Sequence, residues 1–226
     1  MIRALIFDFN GVLADDDPIH MDAFRRVAEE EGLRFTGEEY LEKYLPLNDR
    51  DCFRLLFDEH SMSLPATKLD DLISRKGVYY FEAIESKNVL FADAALAVKT
   101  AAERLLLAIA SGARKQEICH ILKQNQLEDY FGAVVAAEDV AFGKPHPEPF
   151  LRAHEKLRDR DHTLAVSECV AIEDSIGGIQ SAREAGMRCL GIAHSYTPDR
   201  LRHARPDWII DSMADFVPWL KKEVLR

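Results

Sequence analysis

No apolar run in this 226-residue chain approaches the length of about 18 residues that a membrane-spanning helix requires. The apolar part of the N-terminal MIRALIFDF is too short for a secretory leader, so the expectation is a cytoplasmic protein with no membrane partner. Cysteine is sparse and scattered. Cys52, Cys119, Cys169 and Cys189 form no CxxC pair, which argues against a zinc knuckle or a disulfide framework and leaves buried, reduced thiols as the expectation. Positive charge is in deficit as well. A formal net charge of −10 argues against broad attraction to nucleic acid, while leaving room for a small basic pocket.

Several signature loops are missing too. The glycine pair in IGGIQSA lacks GxGxxG spacing, there is no GxxxxGKS loop, and no GxSxG elbow surrounds Ser111. The eight histidines form no HxxxH cluster, and His146 and His154 read as surface positions in a loop and a helix. These gaps disfavour dinucleotide binding, P-loop chemistry and serine-hydrolase chemistry.

What is present is an alternation of short apolar runs with amphipathic segments. ALIF (4–7), RLLLAIA (104–110), AVVAA (133–137), CVAI (169–172), RCLGIA (188–193) and DWII (207–210) are continuous enough for strands buried on both faces. Helical patterns at 116–127, 147–157 and 176–185 separate most of them. This order predicts an α/β fold with a Rossmann-like parallel sheet core. From about Pro18 to Ile84 the rhythm breaks, and only helical segments follow one another, the first ending at Gly32 after a run of three glutamates. The expected organisation is a core of residues 1–15 and 84–226 with a helical cap domain, 16–83, inserted after the first strand.

Polar residues stand at the carboxyl ends of the predicted strands, where open parallel sheets bind ligands. Asp8 follows ALIF, Ser111 follows LLLAIA, and Glu173-Asp174 follow CVAI, while Lys144 lies in a Gly/Pro-bounded loop beyond AVVAA. Together they supply a nucleophile, a hydroxyl donor, a fixed cation and an acid pair suited to a metal. Phosphoryl transfer needs little more, because positioning and charge neutralisation dominate it.

These residues resemble the haloacid dehalogenase-like phosphatases, in the branch with a helical cap that includes phosphoglycolate phosphatases and β-phosphoglucomutases. The resemblance runs through DFNGVLAD (8–15), ASG (110–112), GKPHPEPF (143–150) and IEDSIGGIQSAREAGM (172–187). It implies that Asp8 attacks phosphorus and forms an aspartyl phosphate. It implies Mg²⁺ held by Asp8, the main-chain carbonyl of Asn10 and Asp174, with Glu173 nearby. Ser111 and Lys144 would bind the phosphoryl oxygens, and Gly11 would turn the backbone so that its amides face phosphate. Gly112 and Arg114 from the core, with His20, Arg50 and Lys76 from the cap, would meet a small phosphorylated metabolite. A monomer or a homodimer is expected.

Residue 10 departs from the resemblance. The pattern has a second aspartate there, which protonates the leaving alkoxide and then deprotonates the attacking water, and Asn10 has no titratable proton for either step. General acid–base catalysis contributes on the order of 10²–10⁴-fold, so slow turnover of sugar phosphates is expected. Four explanations stand open: protons delivered by Asp16, Asp17 or His20; a protein that only binds its ligand; a trapping substitution in an active parent; or deamidation at Asn10-Gly11. The expected function is a Mg²⁺-dependent phosphatase. The alternatives are a phosphate-binding pseudoenzyme, then a mutase with Arg50 and Arg114 as its second phosphate clamp, then a dehalogenase.

Overall fold

The six apolar runs form one parallel sheet. The strands are β1 (Ala4–Phe7), β2 (Leu106–Ala110), β3 (Ala133–Val135), β4 (Cys169–Glu173), β5 (Arg188–Ile192) and β6 (Trp208–Ile210). Their spatial order is β3-β2-β1-β4-β5-β6, with every pairing parallel. The computed structural model describes residues 1–45, 47–85 and 87–225. Every residue of β1 and β4 is buried. Since successive side chains point to opposite faces, both faces of the sheet are covered there. In register, Ala4 lies opposite Leu106 on one side and Cys169 on the other, so β1 is the central strand from which the order reverses.

Four strands are shorter than their apolar runs, β5 and β6 by a single residue and β2 and β3 by more. β2 begins at Leu106 because Arg104 and Leu105 still donate their amides to Ala101, closing the preceding helix. β3 ends at Val135 because the Asp139 carboxylate draws the Ala136 amide into a turn.

The chain forms two compact units, Met1–Asp15 with Leu90–Arg226, and Asp16–Val89. The second is helical: α1 (Asp17–Glu30), a short turn α2 (Gly37–Glu39) running on into Tyr40–Tyr44, α3 (Asp49–Glu59) and α4 (Ala66–Ile84). Where a boundary at 83/84 was expected, α4 ends at Ile84 and the compact unit continues to Val89. Gly32, at φ +75°, ends α1 by letting Gly32 and Leu33 donate back to Glu29 and Ala28, which satisfies carbonyls that the helix end leaves open. Phe24 centres this unit's core, with ring centroids 4.8 Å from Phe53 and 5.4 Å from Tyr44.

Helices α5 (Ala94–Ala102), α6 (Lys115–Gln124), α7 (Glu148–Arg158), α8 (Ile176–Glu184), α9 (Pro198–His203) and α10 (Phe216–Trp219) belong to the sheet unit. α7 packs on β2 and β3, and α8 on β4 and β5. His154 is not a surface residue as its pattern suggested. It is buried in α7, with Nε2 3.0 Å from the Leu164 carbonyl, which supplies the polar partner that makes burial tolerable. Of the four cysteines, Cys119 is exposed and the other three are buried. Among the described residues no helix is long and apolar enough to cross a membrane.

One surface cluster of the helical unit has a pH signature. The Glu31 carboxylate, at the end of α1, receives Lys68 at 2.7 Å and Arg75 from the same helix α4. The Lys68 hydrogen bond, then Arg75, lowers its pKa against the opposing effect of burial. A depressed carboxylate contributes stability that is present above its unfolded value and is lost as pH falls through the folded one. Glu31→Gln is therefore expected to lower the melting temperature at pH 7. The difference from the native chain should shrink steadily below the ordinary value of 4.5, as read by thermal melts across pH at constant salt.

Candidate active site

The strand exits on either side of the reversal point gather the polar residues. Asp8 directly follows β1, and its amide donates to the Ile172 carbonyl of β4 at 2.9 Å, so sheet pairing fixes where its carboxylate begins. The chain then turns tightly. The Gly11 amide donates to the Ala14 carbonyl at 2.8 Å, and those of Leu13 and Ala14 donate to Phe9. Gly11 has φ +71°, and a Cβ there would collide with the Asp174 carboxylate, so both backbone conformation and close approach require glycine. Ser111 is held by its amide on Val135 at 3.0 Å, and its hydroxyl lies 3.5 Å from Asn10 Oδ1. Gly112, next in the chain, is exposed.

A buried ammonium group joins the acids. Lys144 Nζ lies 2.8 Å from Asp8 Oδ1 and 2.5 Å from Glu173 Oε1. Burial alone would pull its pKa down; the two carboxylates outweigh burial and raise it, so the side chain is a fixed cation. Burial pushes the Glu173 pKa up, with Lys144 opposing. Glu173 Oε2 also accepts from the amides of Asp174 and Ser175, each at 3.2 Å, and from the Ser175 hydroxyl at 3.0 Å. The loop carrying Lys144 is anchored at both ends. Glu148 accepts the amides of Ala141 and Phe142, and the buried Ser181 of α8 donates to the His146 carbonyl at 2.6 Å.

Asp8, Glu173 and Asp174 each offer a carboxylate oxygen within 4.8 Å of the others. An all-oxygen donor set carrying more negative charge than one lysine offsets, beside a glycine that leaves room, fits a hard divalent cation such as Mg²⁺. Two neighbours of this cluster were not anticipated from the sequence. Ser195 donates its hydroxyl to Asp174 Oδ2, and His194 Nδ1 lies 2.8 Å from the Gly11 carbonyl. Burial lowers the His194 pKa, which favours the neutral ring, and the ring stacks on Phe91 at 3.9 Å. Both follow β5, so the strand-exit rule that singled out Asp8 and Asp174 would have found them had it been applied to that strand.

Arg114, also from the sheet unit, caps the start of α6, and its guanidinium lies 3.8 Å from Glu138. Within the helical unit, His20 and Lys76 are brought together and Arg50 is not part of their cluster. Lys76 is buried, 2.9 Å from Asp49, and approaches His20 Nδ1. His20 Nε2 is 3.3 Å from the wholly buried Asp16, which also accepts from the Tyr80 hydroxyl. Arg50 is exposed and pairs with Asp70 at 2.9 Å.

Both the sequence and the fold have counterparts among known proteins. The chain belongs to the haloacid dehalogenase-like hydrolase family, which it matches over residues 5–192. It is 31% identical to the protein CbbY of Rhodobacter capsulatus over 205 residues, 87% of each chain. It is 29% identical to a phosphorylated carbohydrates phosphatase of Thermotoga maritima over 195 residues, 86% of this chain and 87% of that one. Among solved structures, an aspartate-to-asparagine variant of CbbY from Rhodobacter sphaeroides, in complex with xylulose-1,5-bisphosphate, is similar at TM-score 0.82 and 25% identity, covering 95% of this chain and 96% of that one.

The acid cluster sets a steric requirement on α8. A Cβ on Gly178 would collide with all three atoms of the Glu173 carboxyl group. Gly178→Ala is expected to displace Glu173 from Lys144 and destabilise the chain by about 1–3 kcal/mol, the usual cost of overpacking. Urea unfolding measures this, and an unchanged midpoint would mean that the carboxylate shifts freely.

Proposed function

We propose that this chain is a Mg²⁺-dependent phosphatase that hydrolyses a small phosphorylated sugar in the cytoplasm through an aspartyl phosphate on Asp8, slowed by the amide at residue 10. The observation that carries the reading is the Lys144 ammonium bound between Asp8 and Glu173, with Asp174 in the same acid cluster. The substrate class follows from the sugar-phosphate relatives among its homologues.

An Asp8 carboxylate oxygen attacks phosphorus, and the bond from phosphorus to the sugar oxygen breaks. Lys144 and the Ser111 hydroxyl offset charge on the phosphoryl oxygens. Asp8, the carbonyl of Asn10 and Asp174 would hold Mg²⁺, with Glu173 beside them; when bound, the ion supplies further charge neutralisation. The sugar alkoxide must then take a proton, and the water that hydrolyses the aspartyl phosphate must lose one. Asn10 does neither. It does preserve the polar link to Ser111, and it adds no fourth negative charge to the acid cluster, which favours phosphate binding over turnover.

Asp16 is an unconvincing substitute proton carrier, because it is wholly buried, accepts from Tyr80 and lies 3.3 Å from His20 Nε2. A mutase reading gains little, since Arg50 and Arg114 each face a carboxylate. The pseudoenzyme reading rests on Asn10 itself, and one assay separates it from a slow phosphatase.

That assay follows Mg²⁺-dependent phosphate release from a panel of sugar phosphates and bisphosphates, after peptide mass mapping verifies the amide at residue 10. Asn10→Asp is expected to raise the rate on the order of 10²–10⁴-fold. Adding Asp8→Asn to that variant is expected to abolish it. Persistent turnover without the Asp8 carboxylate would remove the proposal, and absence of turnover in both the native chain and Asn10→Asp on every substrate would favour a protein that only binds.

A further inference from the structure

The loop after β5 is built to hold two side chains against the acid cluster. The Ala193 amide donates to Ile210 at 3.0 Å, extending the pairing with β6, and Thr197 caps α9 at the loop's far end. Between these anchors, Tyr196 is buried and Arg200 lies over its ring at 4.7 Å. His194 is clamped by its ring contact with Phe91 and its bond to the Gly11 carbonyl. Ser195, between His194 and Tyr196, has little freedom to move, and its hydroxyl donates to Asp174 Oδ2.

A carboxylate that must ligate a cation loses less entropy on binding when a fixed donor already orients it. With Ser195 on Oδ2, rotation of the Asp174 carboxylate is restrained, and Oδ1 keeps a defined direction. His194 does the equivalent for the backbone: by holding the Gly11 carbonyl it restrains the turn that carries the Asn10 carbonyl. Two adjacent residues thus support two of the groups assigned above to the cation, one a side chain and one main chain. The contacts that His194 and Ser195 make in this cluster go to the cation-binding residues and the turn, and neither is required as a nucleophile or a phosphate ligand.

We infer that Ser195 is a positioning residue that sets the divalent-cation affinity of the Asp8–Glu173–Asp174 cluster, with His194 holding the adjoining turn. The inference rests on the reading of that cluster as the Mg²⁺ site. Orienting partners of ligating groups typically contribute 10–100-fold to metal affinity, so Ser195→Ala is expected to weaken binding by roughly that factor. Ser195→Thr keeps the hydroxyl and is expected to restore most of it.

The experiment titrates the full chain with Mn²⁺ and reads free ion by electron paramagnetic resonance, which requires no turnover. Native protein, Ser195→Ala, Ser195→Thr and Asp174→Ala are compared, with thermal melts in the absence of metal to verify folding. Ser195→Gly takes the place of the alanine variant if that one does not fold. Weakened binding in Ser195→Ala, rescue in Ser195→Thr and unchanged metal-free melting support the inference. If the native chain binds Mn²⁺ and loses it in Asp174→Ala while Ser195→Ala binds equally well or more tightly, the inference fails and the site reading stands. If the native chain binds no Mn²⁺, the site reading fails and takes the inference with it.

Discussion

A single ammonium group organises the acidic end of the sheet. Lys144 Nζ bridges Asp8 and Glu173, and Asp174 is the third member of the same acid cluster. Carboxylates crowded in a partly buried site repel one another and lose hydration, and only a paired, hydrogen-bonded cation makes their burial tolerable. The surroundings serve that arrangement. Ser175 and two backbone amides occupy the second oxygen of Glu173, Phe150 lies 5.0 Å beneath Lys144, and Glu148 and Ser181 fasten the ends of the lysine loop. α8 links both parts: it opens beside the Glu173-Asp174 pair and reaches the lysine loop through Ser181.

The same charge balance gives Asn10 a physical meaning. An amide oxygen accepts a hydrogen bond much as a carboxylate does, so the contact with Ser111 does not need an acid. What an amide does not add is a further negative charge beside three carboxylates. The cluster therefore carries less mutual repulsion than a fourth carboxylate would give it.

The sheet was legible because buried parallel strands must be continuously apolar, and short apolar runs bounded by turns admit few other readings. Asp8, Ser111, Lys144, Glu173 and Asp174 were legible because strand order places successive strand exits at one end of the sheet. The rest depended on packing that has no linear signature. His154 looked like a surface histidine until Leu164 supplied its partner, and nothing in the linear pattern around Lys76 marks its burial against Asp49. Ser195 and His194 sit in an unremarkable HSYTP loop, and only the reversal of strand order beside β1 brings that loop to Asp174 and Gly11.

The position of β1 in the sheet also bears on how the chain tolerates its insertion. Both neighbours of β1 come from distant parts of the chain: Ala4 pairs with Leu106 and with Cys169. The helical unit, Asp16–Val89, lies wholly inside the loop that the β1–β2 pairing closes. Loop-closure entropy grows only with the logarithm of length, so carrying that unit within the loop costs on the order of 1 kcal/mol. Because the helical unit also has a core of its own centred on Phe24, its size and surface can change over evolutionary time almost independently of the sheet. A change confined to that unit therefore need not disturb the strand pairings of the sheet.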